Sequence, residues 1–530
     1  MKTTLSFFQF FKLALLACVV SPSINAQISP QTDAATSATW SSVGQSLANT
    51  RLQPNETTIN VSNVKNLKVK WSFTTDGDVS ATPTVSNGVV YAPDWAGNLF
   101  ALNATSGLPI WRHQISEYNK STGSISRVSP LVLSNEIVIG DNVASFTAKH
   151  AGANIIAVNP STGNLMWITQ VDSHPAAIIT GSPVALNNVI YVGVSSIEEG
   201  LAAVPGYPCC TFQGSVVALD AGTGKILWKT PTIPSNGGST NQFSGGAVWQ
   251  PPAIDPTRSL LYVGTGDNYT VTAGTEQCEI ANLASGNTAS CTNSNDHIDS
   301  VLALDLATGK IKWATKVLGY DTFTVDCLIP AAPGGTPCPS PAGPDLDFPG
   351  SGPNLVGNIL GIGQKSGTYW AFNPDTGAIL WSTAVGPGGA FGEMWGTASD
   401  GTNIYLPITD PNKVSYTLTP GGKTITWGSW TALNAQTGKI VWQTADPTTG
   451  AIDMSGMSVA NGVVFTGSMS GTMYALNAQT GQILWSFPSG GSVLDAPSIV
   501  NGTLYWGSGY GRLSAFFPSS SNNKIYAFSF

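Results

Sequence analysis

The stretch ALNAQTGKIVW (residues 432–442) recurs, with changes, six more times: ALNATSGLPIW (101–111), AVNPSTGNLMW (157–167), ALDAGTGKILW (218–228), ALDLATGKIKW (303–313), AFNPDTGAILW (371–381) and ALNAQTGQILW (475–485). Each copy reads as two short strands around a tight turn. The Asn or Asp can hydrogen-bond its own backbone and start the turn, and the Gly takes a positive φ that a β-branched residue would resist. The closing Trp offers a large apolar face to a neighbouring unit. Upstream of most copies lie two more strand-like runs, as in TPTVSNGVVYAP, SPVALNNVIYVG and MSVANGVVFTG. The steps Asn87-Gly88, Asn461-Gly462 and Asn501-Gly502 are strong hairpin signals.

The unit is therefore a four-stranded antiparallel meander with a closest spacing of roughly 43 residues, the size of a propeller blade. Apolar on both faces, it cannot bury them alone, so copies must stack in a ring. The chain ends show how the ring closes. SVLDAPSIVNGTLYWGSG and KIYAFSF (524–530) supply three strands but no turn-plus-Trp, and LKVKW (67–71) is an outer strand with no blade of its own. The expected fold is all-β: an eight-bladed β-propeller over residues 67–530, its last blade closed by an N-terminal strand.

Length alone would suggest several domains in 530 residues, but the repeats assign nearly all of them to one propeller. Only 10% of residues are charged, against roughly 25% in an average soluble domain, so clustered acids carry information. A net charge of −8 and the lack of a basic run argue against a nucleic-acid partner. Residues 1–26 read as a secretory signal, with Lys2, the apolar run LALLACVV (13–20) and a cleavage site at Ile24-Asn25-Ala26. That run is too short for a membrane anchor, Lys12 interrupts it, and no other stretch could span a bilayer. The expectation is a secreted or periplasmic chain with residues 27–66 as an N-terminal extension. Without Cys18, six cysteines remain, an even count that implies disulfides in an exported chain. Closeness suggests 209–210, 278–291 and 327–338, although each of the adjacent pair Cys209-Cys210 could bond elsewhere. Three insertions, residues 195–214, 268–299 and 318–352, carry these cysteines and are expected to cluster over one sector of the ring.

The four histidines have no metal-ligand spacing, and the chain has no Gly-rich phosphate loop, nucleophile elbow or C-x-x-C-H haem attachment. Glu198-Glu199 follows the strand VIYVGVSS, Asp267 follows LLYVGTG, and Asp321 follows VLGY. Oxygen ligands from several blades gathered near the axis would suit Ca²⁺. The plainer alternative is solvated loop acids. Trp249 stands outside the repeat's docking position, where it either packs in the core or offers a flat ring to a planar ligand.

Three segments together resemble the quinoprotein alcohol dehydrogenases, eight-bladed propellers that hold pyrroloquinoline quinone (PQQ) and Ca²⁺. They are residues 40–68, with Trp40, Gly44 and Ile59-Asn60-x-x-Asn63-Val64-x-x-Leu67-Lys68; residues 249–267, WQPPAIDPTRSLLYVGTGD; and the repeat itself. Within that family the likeness is greatest to the polyvinyl-alcohol dehydrogenases, carried by ITGSPVALNNVIYVGVSSIEE, YPCCTFQGSVVALDAGTGKILWKT and MWGTASDGTNIY.

The resemblance implies roles. Trp249 forms the floor under PQQ. Glu199 and Asp267 ligate Ca²⁺, with Glu198 as a stand-in for the former and Asp321 as a third ligand. Asp321, in GYDTF, is the catalytic base, with Asp347, in DLDF, as the competing match. Lys365 bonds the quinone oxygens, Arg127 and Thr180 hold the cofactor's carboxylates and polar edge, and Cys209 and Cys210 cover its other face. The implied activity is oxidation of secondary, possibly polymeric, alcohols, with Asp321 taking the alcohol proton as hydride leaves its carbon. Without a haem motif, electrons go to a separate acceptor such as a cytochrome c. Departures from the family pattern are Leu52, Ile254, Asp267 (where the family has Asn), Ala247 and the position of the cysteine pair, which sits in the third blade's insertion. Ala247 and the displaced pair motivate the rival expectation, a cofactor-free propeller that binds or scaffolds; a polysaccharide- or polymer-binding surface protein is a third.

Overall fold

Every copy of the repeat folds into the outer half of a blade. In ALNAQTGKIVW, Ala432 pairs with Trp442 across an antiparallel ladder, and a register shift follows at Leu433. The turn glycine of each copy is left-handed, with φ between 68° and 72° at Gly107, Gly163, Gly224, Gly309, Gly377, Gly438 and Gly481. A computed structural model describes residues 39–145, 151–287, 290–328, 335–348, 350, 352–389, 391–393 and 395–530. The signal expected over residues 1–26, and His150, lie outside them.

The described residues contain eight antiparallel blade sheets, seven of four strands and one of five, in which Ala177–Ile178 also pairs with Val189–Ser196. The first is typical: Thr84–Ser86, Val89–Pro93, Asn98–Asn103 and Pro109–Gln114, in spatial order. The eighth takes Ser498–Val500, Thr503–Ser508 and Lys524–Ser529 from the end of the chain and Lys68–Thr74 from its start, with Trp71 opposite Ala527. The ring thus closes through the orphan strand. The second strand Thr503–Ser508 is buried throughout, whereas the outer strand Leu165–Asp172 is exposed or half-buried at every position but Val171. That gradient follows from stacking sheets face to face around an axis.

The tryptophans are the fasteners between blades. A Cβ placed on Gly438 would lie 2.5 Å from Trp381 Cε3 of the preceding blade, and the same clash recurs between Gly107 and Trp71, Gly224 and Trp167, and Gly481 and Trp442. Among the described residues, seven of the eight docking indoles also donate their N–H to a carbonyl of the next blade, from Trp71 to Ala104 (3.0 Å) round to Trp485 and Leu67 (3.2 Å). Only glycine gives both the positive φ and the space. Gly438→Ala is therefore expected to lower unfolding stability by about 1–3 kcal/mol, read as a shift in a denaturant midpoint. An alanine at exposed Gly401, where nothing crowds the Cβ, would show the backbone strain alone.

Residues 40–53 add a second closure that the repeats do not announce. This strap runs along the innermost strands. Its carbonyls accept backbone N–H groups from one blade after another: Trp40 from Val85, Ser41 from Val132, Leu47 from Ile254, Ala48 from Leu355, Thr50 from Ser399 and Arg51 from Val459, at 2.8–2.9 Å. Gln53 Nε2 then donates to Ile499 O at 2.8 Å.

All three local disulfide pairings are formed: Cys209–Cys210, Cys278–Cys291 and Cys327–Cys338. No helix among the described residues is long and apolar enough to cross a membrane.

Candidate functional site

In each blade, the loop before the first strand and the loop after the second open on one face of the ring. Arg127, Thr180 and Trp249 come from loops of the first kind, entering the strands Leu131–Val132, Val184–Leu186 and Ala253–Asp255. Glu199, Asp267 and Lys365 come from the second kind, leaving Val189–Ser196, Leu260–Gly264 and Ile359–Gln364. A strand must end for its next side chain to turn toward the axis, so these positions point inward. They line one cavity of about 250 Å³, together with Asp345, Asp347, Tyr269, Phe391, Leu513 and Phe516.

One cation stands among the acids. The Lys365 ammonium lies 2.5 Å from Asp345 Oδ1 and 2.8 Å from Asp347 Oδ1, and 5.3 Å from the centre of the Trp249 ring. Trp249 donates its indole N–H to Asp347 Oδ2 at 3.2 Å and meets Trp395 edge to face. Burial would depress the lysine, but Asp345, Asp347, Glu199 and Asp267 together outweigh it and hold the ammonium well above its ordinary range. Burial pushes the Glu199 carboxyl up to about 7, with Lys365 opposing and Asp347 and Asp321 adding to the rise. Burial, then repulsion from Glu199 and Asp345, holds Asp267 well above the usual carboxylate range. Asp267 Oδ2 is buried with no hydrogen-bond partner. The cavity thus gathers more carboxyl groups than one lysine can keep ionised, a conflict a divalent cation would relieve. Among the described residues, no three His, Cys, Asp or Glu side chains already form a metal cage, so two carboxylates would need further oxygens from a ligand.

Arg127 forms the opposite pole. Its guanidinium stands over Trp395 at 4.4 Å, Trp95 at 5.5 Å and Tyr510 at 5.7 Å, and it makes no ion pair among the described residues. Thr180 Oγ1 accepts from Asn142 at 3.2 Å.

Three expected residues sit elsewhere. Asp321 is fully buried and is not among the lining residues. Its two oxygens accept the backbone N–H groups of Asp345 (3.0 Å) and Leu346 (2.8 Å), so it holds the segment that presents Asp345 and Asp347. Cys209 and Cys210 do not line the cavity either; Cys209 packs at the edge of the hydrophobic cluster that also receives Trp249. The two adjacent glutamates divide. Glu199 reaches the cavity, whereas buried Glu198 accepts from Tyr207 Oη (3.0 Å) and from the backbone N–H groups of Thr211 (2.9 Å) and Phe212 (2.7 Å). It anchors the loop that carries the cysteine pair.

Sequence reasoning missed Tyr269, Phe391, Leu513 and Phe516 as lining residues. The last three lie in loops without periodicity. For Asp345 the signal was present, as DLD places two acids at alternate positions of an extended segment.

Residues 40–336 match the family described as glucose/ethanol/alcohol dehydrogenase, beta-propeller domain. Residues 427–521 match the one described as outer membrane protein assembly factor BamB. A polyvinylalcohol dehydrogenase of a Pseudomonas species is 30% identical over 522 residues, covering 91% of this chain and 74% of that protein. One from a Sphingopyxis species is 30% identical over 499 residues, covering 86% and 70%. In fold, the chain is similar to the quinohemoprotein alcohol dehydrogenase of Comamonas testosteroni, with a TM-score of 0.68 at 19% identity over 93% of this chain and 80% of that one.

Proposed function

We propose, for a chain that belongs to the glucose/ethanol/alcohol dehydrogenase β-propeller family, that the cavity holds PQQ and Ca²⁺ and oxidises secondary alcohols, including polymeric ones. The chain is an oxidoreductase of the quinoprotein alcohol dehydrogenase kind. The observation that carries the finer reading is the convergence of an indole face, an arginine with no ion pair among the described residues, one lysine and several carboxyl groups on a single cavity.

The donor set fits the cofactor. Trp249 supplies a flat floor. Arg127, braced by aromatic faces, is a cationic handle for a carboxylate, and Thr180 adds a hydroxyl. Glu199 and Asp267, one of whose oxygens lacks a partner, would hold the Ca²⁺. When bound, the pair would supply a hydride acceptor and a Lewis acid. Two of the three ammonium protons of Lys365 face Asp345 and Asp347, and the third remains for an oxygen in the cavity. We assign the proton-accepting role to Asp347, held in the cavity wall by Lys365 and Trp249, and give Asp321 the task of positioning it. The electrons pass to a separate acceptor such as a cytochrome c, and the signal-like residues 1–26 support a secreted or periplasmic location.

Reconstitution with PQQ and Ca²⁺ tests this reading. The expected results are a perturbed quinone absorbance, alcohol-dependent dye reduction, and stabilisation by about 2.7 kcal/mol at a hundredfold excess over Kd. Absence of all three would favour a cofactor-free scaffold propeller, the reading to which the BamB-like match of residues 427–521 lends support.

The adjacent glutamates offer a sharper check. Glu199→Gln is expected to weaken Ca²⁺ binding at least about tenfold, the effect expected even of an outer-shell partner, with the fold intact. Glu198→Ala is expected to lower stability by ~1–3 kcal/mol, because buried backbone N–H groups lose their acceptor, while Ca²⁺ affinity is kept. Calcium titration alongside thermal melts separates the two.

A further inference from the structure

A second depression opens on the same face, at the seam of the first and eighth blades. It encloses about 630 Å³ and is lined by Asp76, Asp78, Trp95, Arg512, Asn522 and Asn523 with the adjoining backbone. Its neighbour is the cavity just described. The segment that follows Thr503–Ser508 separates them: Leu513 lines the cavity, while Gly511 and Arg512 line the cleft. Trp95 joins the two, for the Arg512 guanidinium lies 4.5 Å from its ring and that of Arg127 5.5 Å.

The chemistry of the cleft is mixed and neutral. Asp76, about half exposed, pairs with Arg112 at 2.9 Å. Asp78 is occupied by the N–H groups of Gly511 and Asn522 and by the Ser521 hydroxyl. Arg512 uses one N–H on the carbonyl of Ala144 at 2.7 Å and is otherwise exposed. The two lining aspartates disfavour an anion, and Arg512, with Arg112 already paired to Asp76, disfavours a cation. What remains is a ligand that both donates and accepts without charge, and that has C–H surface for an indole. A hydroxyl fits, donating to Asp76 and accepting from Arg512. A small alcohol in the cavity cannot also reach beyond Leu513; a chain of hydroxyls can.

We propose that this cleft is a non-catalytic subsite that holds a neutral polyhydroxylated chain while one of its secondary hydroxyls occupies the cavity. The proposal rests on the alcohol-oxidising reading for its second clause, but binding in the cleft stands apart from catalysis. Poly(vinyl alcohol) serves as the probe, since the secondary hydroxyl is its functional group, with pentane-2,4-diol as its shortest mimic. Full-length apoprotein is expected to be retarded in native gels cast with the polymer, and Arg512→Ala or Asp76→Asn to lose most of that retardation. In the PQQ- and Ca²⁺-loaded enzyme, the same variants are expected to raise the polymer's KM about tenfold, as loss of a charge-assisted hydrogen bond implies, and to leave kcat/KM for the diol within about twofold. Absence of retardation in the wild type, or variants that bind and turn over the polymer as the wild type does, would overturn the proposal. If the apoprotein binds the polymer through Arg512 yet no diol is oxidised, the subsite stands and the catalytic reading falls.

Discussion

Asp347→Asn is expected to lower kcat for a secondary alcohol by about 10²–10⁴, the range for removing a positioned general base, with little change in stability or PQQ binding. The substitution keeps the shape of the side chain and an oxygen that can accept the Trp249 N–H, now 3.2 Å from Asp347 Oδ2. It removes one partner of Lys365, but Asp345 remains 2.5 Å from that ammonium. It also removes a source of repulsion for Glu199, Asp267, Asp345 and Asp321, each pushed upward in part by Asp347. The lost attraction and the relieved repulsion act in opposite directions, so the melting temperature should move little while the rate collapses. Asp321→Asn makes the contrast. It weakens the acceptor for two buried N–H groups, so stability should fall by ~1–3 kcal/mol and activity should fall with it. Dye-linked rates measured beside thermal melts decide the matter. If Asp321→Asn abolished turnover with its melt unchanged, and Asp347→Asn turned over within a few-fold of wild type, the base would be Asp321.

That contest shows where the sequence is legible and where it is not. The propeller could be read because its determinants are local: turn, glycine and tryptophan lie within eleven residues of each other in every copy, and the partner of each is the next copy. The positions of Glu199 and Asp267 beyond strand ends, and of Trp249 near an inner strand, could be read from the residues, whereas Lys365 was reached only through the family resemblance. The choice between Asp321 and Asp347 could not, because both stand in plausible motifs, and only the folded insertion shows that backbone N–H groups occupy both oxygens of Asp321. The same limit applies to Glu198 and Glu199, neighbours in sequence whose carboxylates face a loop backbone and the cavity respectively. The strap over residues 40–53 was legible as an extension, but not as a chain of contacts to six innermost strands, since those partners are spread over the whole polypeptide. Phe391, Leu513 and Phe516 reach the cavity from irregular loops, where no period marks which side chain turns inward.

Lys365→Met should act on stability first and activity second. The wild-type ammonium is buried among Asp345, Asp347, Glu199 and Asp267, with Asp321 close behind. Replacing it with an apolar side chain of similar length leaves these acids with no cation, and breaking a buried pair from one side typically costs about 3–5 kcal/mol. The deficit should depend on pH. Lys365 has a raised pKa in the fold, so its contribution is fully present below the ordinary lysine range, which covers all of neutral pH. Burial already holds Asp345 and Asp267 well above the ordinary carboxylate range, and losing the lysine would raise Asp345 further. Acids raised in this way destabilise the fold above their unfolded pKa of ~4. The gap between variant and wild type should therefore be widest at pH 7–8 and narrow as pH falls toward ~4, where the acids are protonated in both states. Ca²⁺ should recover part of the loss in the variant, because a divalent cation bound at Glu199 and Asp267 offsets the same excess charge, while turnover should stay low for want of the Lys365 hydrogen-bond donor. Thermal melts across this pH range, with and without Ca²⁺, read all three effects. A variant as stable as wild type at pH 8 without Ca²⁺ would mean that these carboxylates are not in electrostatic conflict, and the case for a cation beside them would lose its physical basis.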